Sequence, residues 1–169
     1  VWFPRPEYNP AYHRPGWTYA TFFSVMPDLK FWDFEAGQWN RPVVSDIEDV
    51  FLFWAELGVD GFRVDAAKHF VEGVQNNANP AEPRNLELLA RWRDRVQQLY
   101  PDVVFVGEIY GSVGELQTYV SQGAMDAIFD FPYMHALRQS LQDSYAEPFR
   151  QILFDQEARA NELSAGTRI

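Results

Sequence analysis

From about residue 45 onward the spacing of apolar residues alternates between two periods. Val50, Phe51, Phe53, Trp54 and Leu57 recur at helical intervals between the capping-box sequence Ser45-Asp46-Ile47-Glu48 and the stop signal Gly58, which predicts a helix over 46–57. Val59 to Val64 is then a short strand-like run. A second helix is predicted from Asn85 to Leu99, closed by Tyr100-Pro101. Val103-Val104-Phe105-Val106 is an unbroken β-branched and aromatic run, the pattern of a parallel strand covered on both faces, and it ends at Gly107-Glu108. A shorter helix over about 113–121 and a strand from Ala127 to Phe131 come next. Helix is predicted again from Tyr133, interrupted at Pro148 and resumed over 149–160.

Helix and strand in alternation predict βα units around a parallel sheet, either doubly wound or closed as a barrel. Residues 1–44 show no sustained period and are rich in Pro, Gly, Trp and Tyr, so they read as a long ordered loop region packed by its own aromatics. A boundary is conceivable between Ala78 and Pro83, where a surface loop within one domain is the simpler reading. The division is therefore a loop-rich segment 1–44 and an α/β segment 45–169.

Composition narrows the partners. Fourteen Lys and Arg against 24 Asp and Glu leave a formal charge of −10, which opposes phosphate backbones and anionic lipid, so neither nucleic acid nor a membrane surface is expected. Six Trp, eight Tyr and fourteen Phe are far too many aromatics for a disordered chain, and with the acidic groups they suit a neutral, hydroxyl-rich ligand such as a sugar. Without cysteine there are no disulfides or thiolate metal sites, and the compartment stays open. No stretch has the apolar length of a membrane span. The start at Val1 rather than Met leaves room for an upstream leader.

Candidate chemistry concentrates at two strand ends. In Asp60-Gly61-Phe62-Arg63-Val64-Asp65-Ala66-Ala67-Lys68-His69, period two puts Arg63 and Asp65 on one face of a strand. There Arg63 would hold a carboxylate nucleophile ionised, the bland alternative being a buried ion pair. Glu108 ends the most apolar strand, at the end where α/β proteins place ligands, and partial desolvation there would suit a general acid; the alternative is a solvated Glu. Two such carboxylates at the ends of neighbouring strands are what glycoside hydrolysis uses, about 5–5.5 Å apart in the retaining form.

GFRVDAAKH resembles the fourth-strand motif of glycoside hydrolase family 13, the α-amylase family, and FVGEIY its fifth-strand motif. Met26-Pro27-Asp28-Leu29 is similar to the family's short motif near the end of the domain inserted after the third strand, and Phe129-Asp130-Phe131-Pro132 to its sixth-strand segment. The resemblance implies a (β/α)8 TIM barrel acting on α-linked glucans or oligosaccharides with retention. Asp65 would be the nucleophile, Glu108 the acid/base and Arg63 the residue orienting the nucleophile. It also implies that Lys68 and His69 bind substrate on the leaving-group side and that the His69 backbone carbonyl helps hold a calcium ion, Ca2+. Asp28 is either a turn residue or a calcium or loop anchor, and Asp130 is polar support. Trp17, Tyr19, Phe22, Phe23, Phe31 and Trp32 would form either loop core or sugar-stacking subsites.

The family's seventh-strand Asn-His-Asp, which carries a third catalytic carboxylate, does not occur here, nor does its third-strand motif. The expectation is a fragment of the barrel covering about strands four to six, inactive by itself, from an α-amylase-type hydrolase. The alternatives are an α-glucan transglycosylase and a non-catalytic carbohydrate-binding relative.

Overall fold

The structure, a computed structural model, describes residues 2–4, 17–19, 22–23, 26–33, 36–71 and 83–155. Within the loop-rich segment β1 (Trp2–Pro4) pairs antiparallel with β2 (Trp17–Tyr19), and β3 (Trp32–Asp33) pairs antiparallel with β4 (Gln38–Trp39). Parts of 1–44 are therefore short ladders rather than loop. The supposed boundary at 78–82 lies outside the described residues.

Helix α1 (Arg41–Glu56) begins before the predicted capping box. Pro42 sits in its first turn, where a missing N–H costs nothing, and Ser45 is already helical. Asn40 precedes the helix without capping it, since its amide Nδ2 instead donates to the Lys30 carbonyl at 2.9 Å. Gly58 does end the helical run, at φ +90°, a conformation that side chains disfavour. The chain then enters β5 (Gly61–Val64). At Gly61 a Cβ would sit 2.5 Å from the Val104 carbonyl oxygen, so only glycine lets the next strand come this close.

Helix α2 (Pro83–Gln97), strand β6 (Val104–Gly107), helix α3 (Val113–Ser121), strand β7 (Ala127–Ile128) and helix α4 (Phe131–Asp143) follow. Strands β5, β6 and β7 form a parallel sheet in that order, Arg63 opposite Val106 and Val64 opposite Gly107. β7 is shorter than predicted, because Asp130 accepts from the Tyr133 N–H at 2.8 Å and caps α4, whose first turn holds Pro132. The break after α4 comes at Ser144, left-handed at φ +50°, rather than at Pro148, which lies in the first turn of a further helical stretch over 147–155. Residues 156–160, also expected to be helical, lie outside the described residues.

The sheet has two unlike faces. Phe62 and Phe105 point toward the helices, with ring centroids 5.2 Å apart; Phe51 of α1 lies 4.9 Å from Phe62 and 5.7 Å from Trp92 of α2. Trp92 is almost wholly buried, also meets Phe31 and Phe70 edge-on, and donates its indole N–H to the Val44 carbonyl at 3.1 Å. Asp126 closes the far side of this layer. It accepts from Arg93 Nε at 2.7 Å, Gln97 Nε2 at 2.9 Å and the Phe105 N–H at 2.8 Å, bonds that hold its carboxyl below the ordinary range against the opposing pull of burial. The other face carries Gly61, Arg63, Val104, Val106 and Glu108, none of which is buried. No helix among the described residues is long and apolar enough to cross a membrane.

Because Trp92 joins α1, α2 and the residues before α1, its truncation to Ala should lower stability by about 3–5 kcal/mol. The shift in the chemical denaturation midpoint measures this, and an unmoved midpoint would contradict the assigned core.

Candidate active site

The backbone at the end of β5 departs from a regular parallel ladder by one residue. Glu108 donates its N–H to the Val64 carbonyl at 2.9 Å, as the ladder requires, but its own carbonyl accepts from Ala67 at 3.0 Å rather than from Ala66. Asp65 and Ala66 together therefore oppose Glu108, an arrangement like a β-bulge, and Ala66 takes the extra turn at φ +45°. A left-handed alanine costs roughly 1–2 kcal/mol, which the surrounding hydrogen bonds must offset. The His69 N–H contributes one of them, to the Ala66 carbonyl at 2.9 Å.

This turn sets Asp65 beside Glu108. Arg63 Nη2 lies 2.7 Å from Asp65 Oδ1 and also bonds Glu108 Oε2, so one guanidinium nitrogen touches both carboxylates. The sequence predicted the Arg63–Asp65 pair, and period two holds. It did not predict the Arg63 contact to Glu108. Asp65 is 72% exposed and Glu108 only 20%, so the more sheltered carboxyl is the one from the apolar strand. The hydrogen bond that Asp65 shares with Glu108 is the main cause lifting the Glu108 carboxyl above its ordinary range; partial desolvation and the Asp65 charge add to it, and Arg63 opposes.

Lys68 and His69 lie on the same turn. Lys68 Nζ donates to the Tyr110 carbonyl, tying the turn to the chain just past Glu108, and the His69 ring meets Phe22 edge-on with centroids 5.3 Å apart. Phe22, Phe23 and Met26 line one cleft of about 230 Å³ together with Asp65, Lys68, His69, Glu108 and Tyr110. The six aromatics considered from sequence thus divide. Phe22 and Phe23 are exposed in the cleft, Phe31 is core, and Trp32 packs edge-on against Trp39. The side chains of Trp17 and Tyr19 lie outside the described residues.

Four contributing residues were not picked out from the sequence. Tyr110, in the cleft lining, stacks on Phe131 of α4 at 3.8 Å between centroids and 14° between planes. Ser112 and Glu115 form a reciprocal capping box that starts α3 directly after this loop, a signal the Ser-x-x-Glu spacing carries openly. Asn85, fully buried on α2, reaches the turn from behind, and no local pattern distinguishes it from a polar helix residue.

A calcium ion needs six to eight oxygen donors. Among the described residues no group of three or more His, Asp or Glu could hold a metal.

Removing Asp65 takes away two influences that raise the Glu108 pKa, whereas removing Arg63 takes away those that lower it. The Glu108 titration midpoint, followed by carbon-13 NMR of its carboxyl, should fall in Asp65→Ala and rise in Arg63→Leu. Unchanged midpoints in both would contradict the shared contact.

A family model for the α-amylase catalytic domain matches residues 11–165. Alpha-amylase 3 of Dictyoglomus thermophilum is 31% identical over 139 residues, covering 82% of this chain and 24% of that protein. A trehalose synthase of Thermus thermophilus is 28% identical over 139 residues, covering 80% of this chain and 14% of that protein. Among solved structures, Eubacterium rectale Amy13B superposes with a TM-score of 0.56 at 26% identity, over 72% of this chain and 21% of its own. The α-glucosyl transfer enzyme XgtA does so with a TM-score of 0.58 at 26% identity, over 78% of this chain and 28% of its own. The chain thus spans about a quarter or less of the curated relatives it matches. With the carboxylate pair at the ends of parallel strands, these matches make the chain a member of the α-amylase family, glycoside hydrolase family 13.

Proposed function

We propose that the chain supplies the central catalytic strands of a retaining enzyme acting on α-glucosidic bonds in starch-like glucans or maltooligosaccharides. In this reading β5, β6 and β7 are barrel strands four to six, and the less buried face of the sheet, which carries Arg63 and Glu108, looks into the barrel. The observation that carries the proposal is the pair of carboxylates ending neighbouring strands and touching one Arg63 nitrogen. Since both oxygens contact the same atom, the two groups lie on the scale of the retaining arrangement, well short of the gap an inverting enzyme leaves for water.

The roles divide by environment. Glu108, sheltered and raised in pKa, gives a proton to the glycosidic oxygen as that bond breaks. The Asp65 carboxylate, open to the cleft, attacks the anomeric carbon and forms an ester to the sugar. The Glu108 carboxylate then takes a proton from the incoming hydroxyl, whose oxygen displaces Asp65. Arg63 holds Asp65 for attack, and Lys68 and His69, in the cleft lining, contact the leaving-group sugar. Should the protein hold a calcium ion at this turn, the His69 backbone carbonyl would be the turn's own oxygen donor to it.

Whether water or a sugar hydroxyl receives the glycosyl group is a second question. Trehalose synthases and an α-glucosyl transfer enzyme stand among the relatives beside amylases, which supports transfer as the alternative outcome at the same residues. A purely carbohydrate-binding relative would have no use for Asp65, Glu108 and Arg63 together.

In the full-length protein, Glu108→Gln should lower kcat on glucans by about 10²–10⁴-fold and retain far more activity on a glycosyl fluoride, whose leaving group needs no proton. Asp65→Asn should lose both activities. Equal losses on both substrates in Glu108→Gln would contradict its role as the acid. The chain of 169 residues assayed alone should show no turnover, because the family's third carboxylate does not occur in it; Asp65-dependent hydrolysis by the isolated chain would overturn that expectation.

A further inference from the structure

The turn that carries Asp65, Lys68 and His69 is gripped from behind by one buried amide. Asn85, in the first turn of α2, is completely inaccessible to solvent. Its Nδ2 donates to the Ala67 carbonyl at 2.7 Å, and its Oδ1 accepts from the Val71 N–H at 3.2 Å. The same side chain therefore binds both ends of the segment 67–71, with Lys68 and His69 held between. The remaining Nδ2 hydrogen goes to the hydroxyl of Tyr119, 3.3 Å away on α3 and itself 1% exposed. Burial pushes the Tyr119 phenol up to about 12, so its oxygen stays a neutral hydroxyl and a steady acceptor at working pH.

We propose that Asn85, backed by Tyr119, is a positioning residue for the active-site turn, an inference that rests on the function assigned to Asp65 and Lys68. The arrangement needs a donor and an acceptor side by side at one buried point, which only a carboxamide of this length supplies. With Ala67 pinned on one side by Asn85 and on the other by Glu108, the left-handed Ala66 has no room to relax, and Asp65 is fixed with it. An aspartate of the same shape would set a carboxylate oxygen against the Ala67 carbonyl and replace attraction with repulsion. A leucine would leave both backbone groups without their partner. The helix layer thus reaches the reacting carboxylate through hydrogen bonds to backbone, without touching substrate.

The experiment compares wild type, Asn85→Asp and Tyr119→Phe in the full-length protein, at a temperature where circular dichroism shows each fully folded. Asn85→Asp should lower kcat about 10–100-fold, the scale of a misplacement of about 1 Å, and to a similar degree on a glycosyl fluoride, because the fault lies with the nucleophile's position and not with proton transfer. Amide exchange at Val71 should quicken at least about tenfold while Leu88 and Leu89 on α2 keep their protection. Tyr119→Phe, a milder change, should move both readouts the same way by a few-fold, and it carries the test if Asn85→Asp does not fold. A lowered melting temperature with unchanged kcat and unchanged Val71 exchange would reduce Asn85 to a structural residue and overturn the proposal. Were wild type inactive on every α-glucoside, the functional reading would fall; Val71 exchange would then decide by itself whether Asn85 holds the turn, unaltered exchange in Asn85→Asp overturning it.

Discussion

Arg63 Nη2 stands between two carboxylates, and the rest of the site follows from how it comes to be there. Arg63 sits opposite Val106 in the ladder, so that Asp65 and Glu108 extend two strands on the same face as the guanidinium. The nearness of the two carboxyls is tolerable because Arg63 contacts both, while the interaction with Asp65 raises the Glu108 pKa. The Glu108 carboxyl is thereby raised above its ordinary range, the direction a general acid requires. Each layer of the fold contributes: the Phe62–Phe105 contact sets the register from the helix side, Gly61 lets the strands approach, and the bulge at Ala66 turns the chain away just past Asp65.

Much of this was legible in the sequence, for reasons that differ from residue to residue. Arg63 and Asp65 could be put on one face because a strand's alternation is fixed by covalent geometry. The strand ending at Glu108 was evident from four consecutive apolar residues, Val103 to Val106. The helices were found because their apolar faces recur at fixed intervals, and their centres were placed well. Their ends were less certain. Ser45 followed by Glu48 has the spacing of a capping box, yet α1 begins at Arg41, since Pro42 favours a first turn and Asn40 is occupied by Lys30. The strand read as Ala127–Phe131 stops at Ile128 because Asp130 serves better as a cap than as a strand residue.

What the sequence hid were contacts made at long range. Nothing around Asn85 marks it as a partner of Ala67 and Val71, for an asparagine near a helix start is ordinarily a local cap. The Arg63–Glu108 bond spans two strands with a helix between them, and the bulge at Ala66 depends on Glu108 and Ala67 meeting, so neither has a local signature. Phe22 and Phe23 looked like Phe31 in composition, and only their position over the turn separates cleft from core.

The central claim is that Asp65 forms the bond to the sugar. A mechanism-based 5-fluoro-glycosyl fluoride, which slows release of the glycosyl-enzyme, offers the most direct measurement: incubate it with the full-length protein, digest, and locate the added mass. The account predicts a single glycosylated peptide with the sugar on Asp65, absent in Asp65→Asn. A label on another residue, or turnover with inversion at the anomeric carbon and no trapped species, would contradict it.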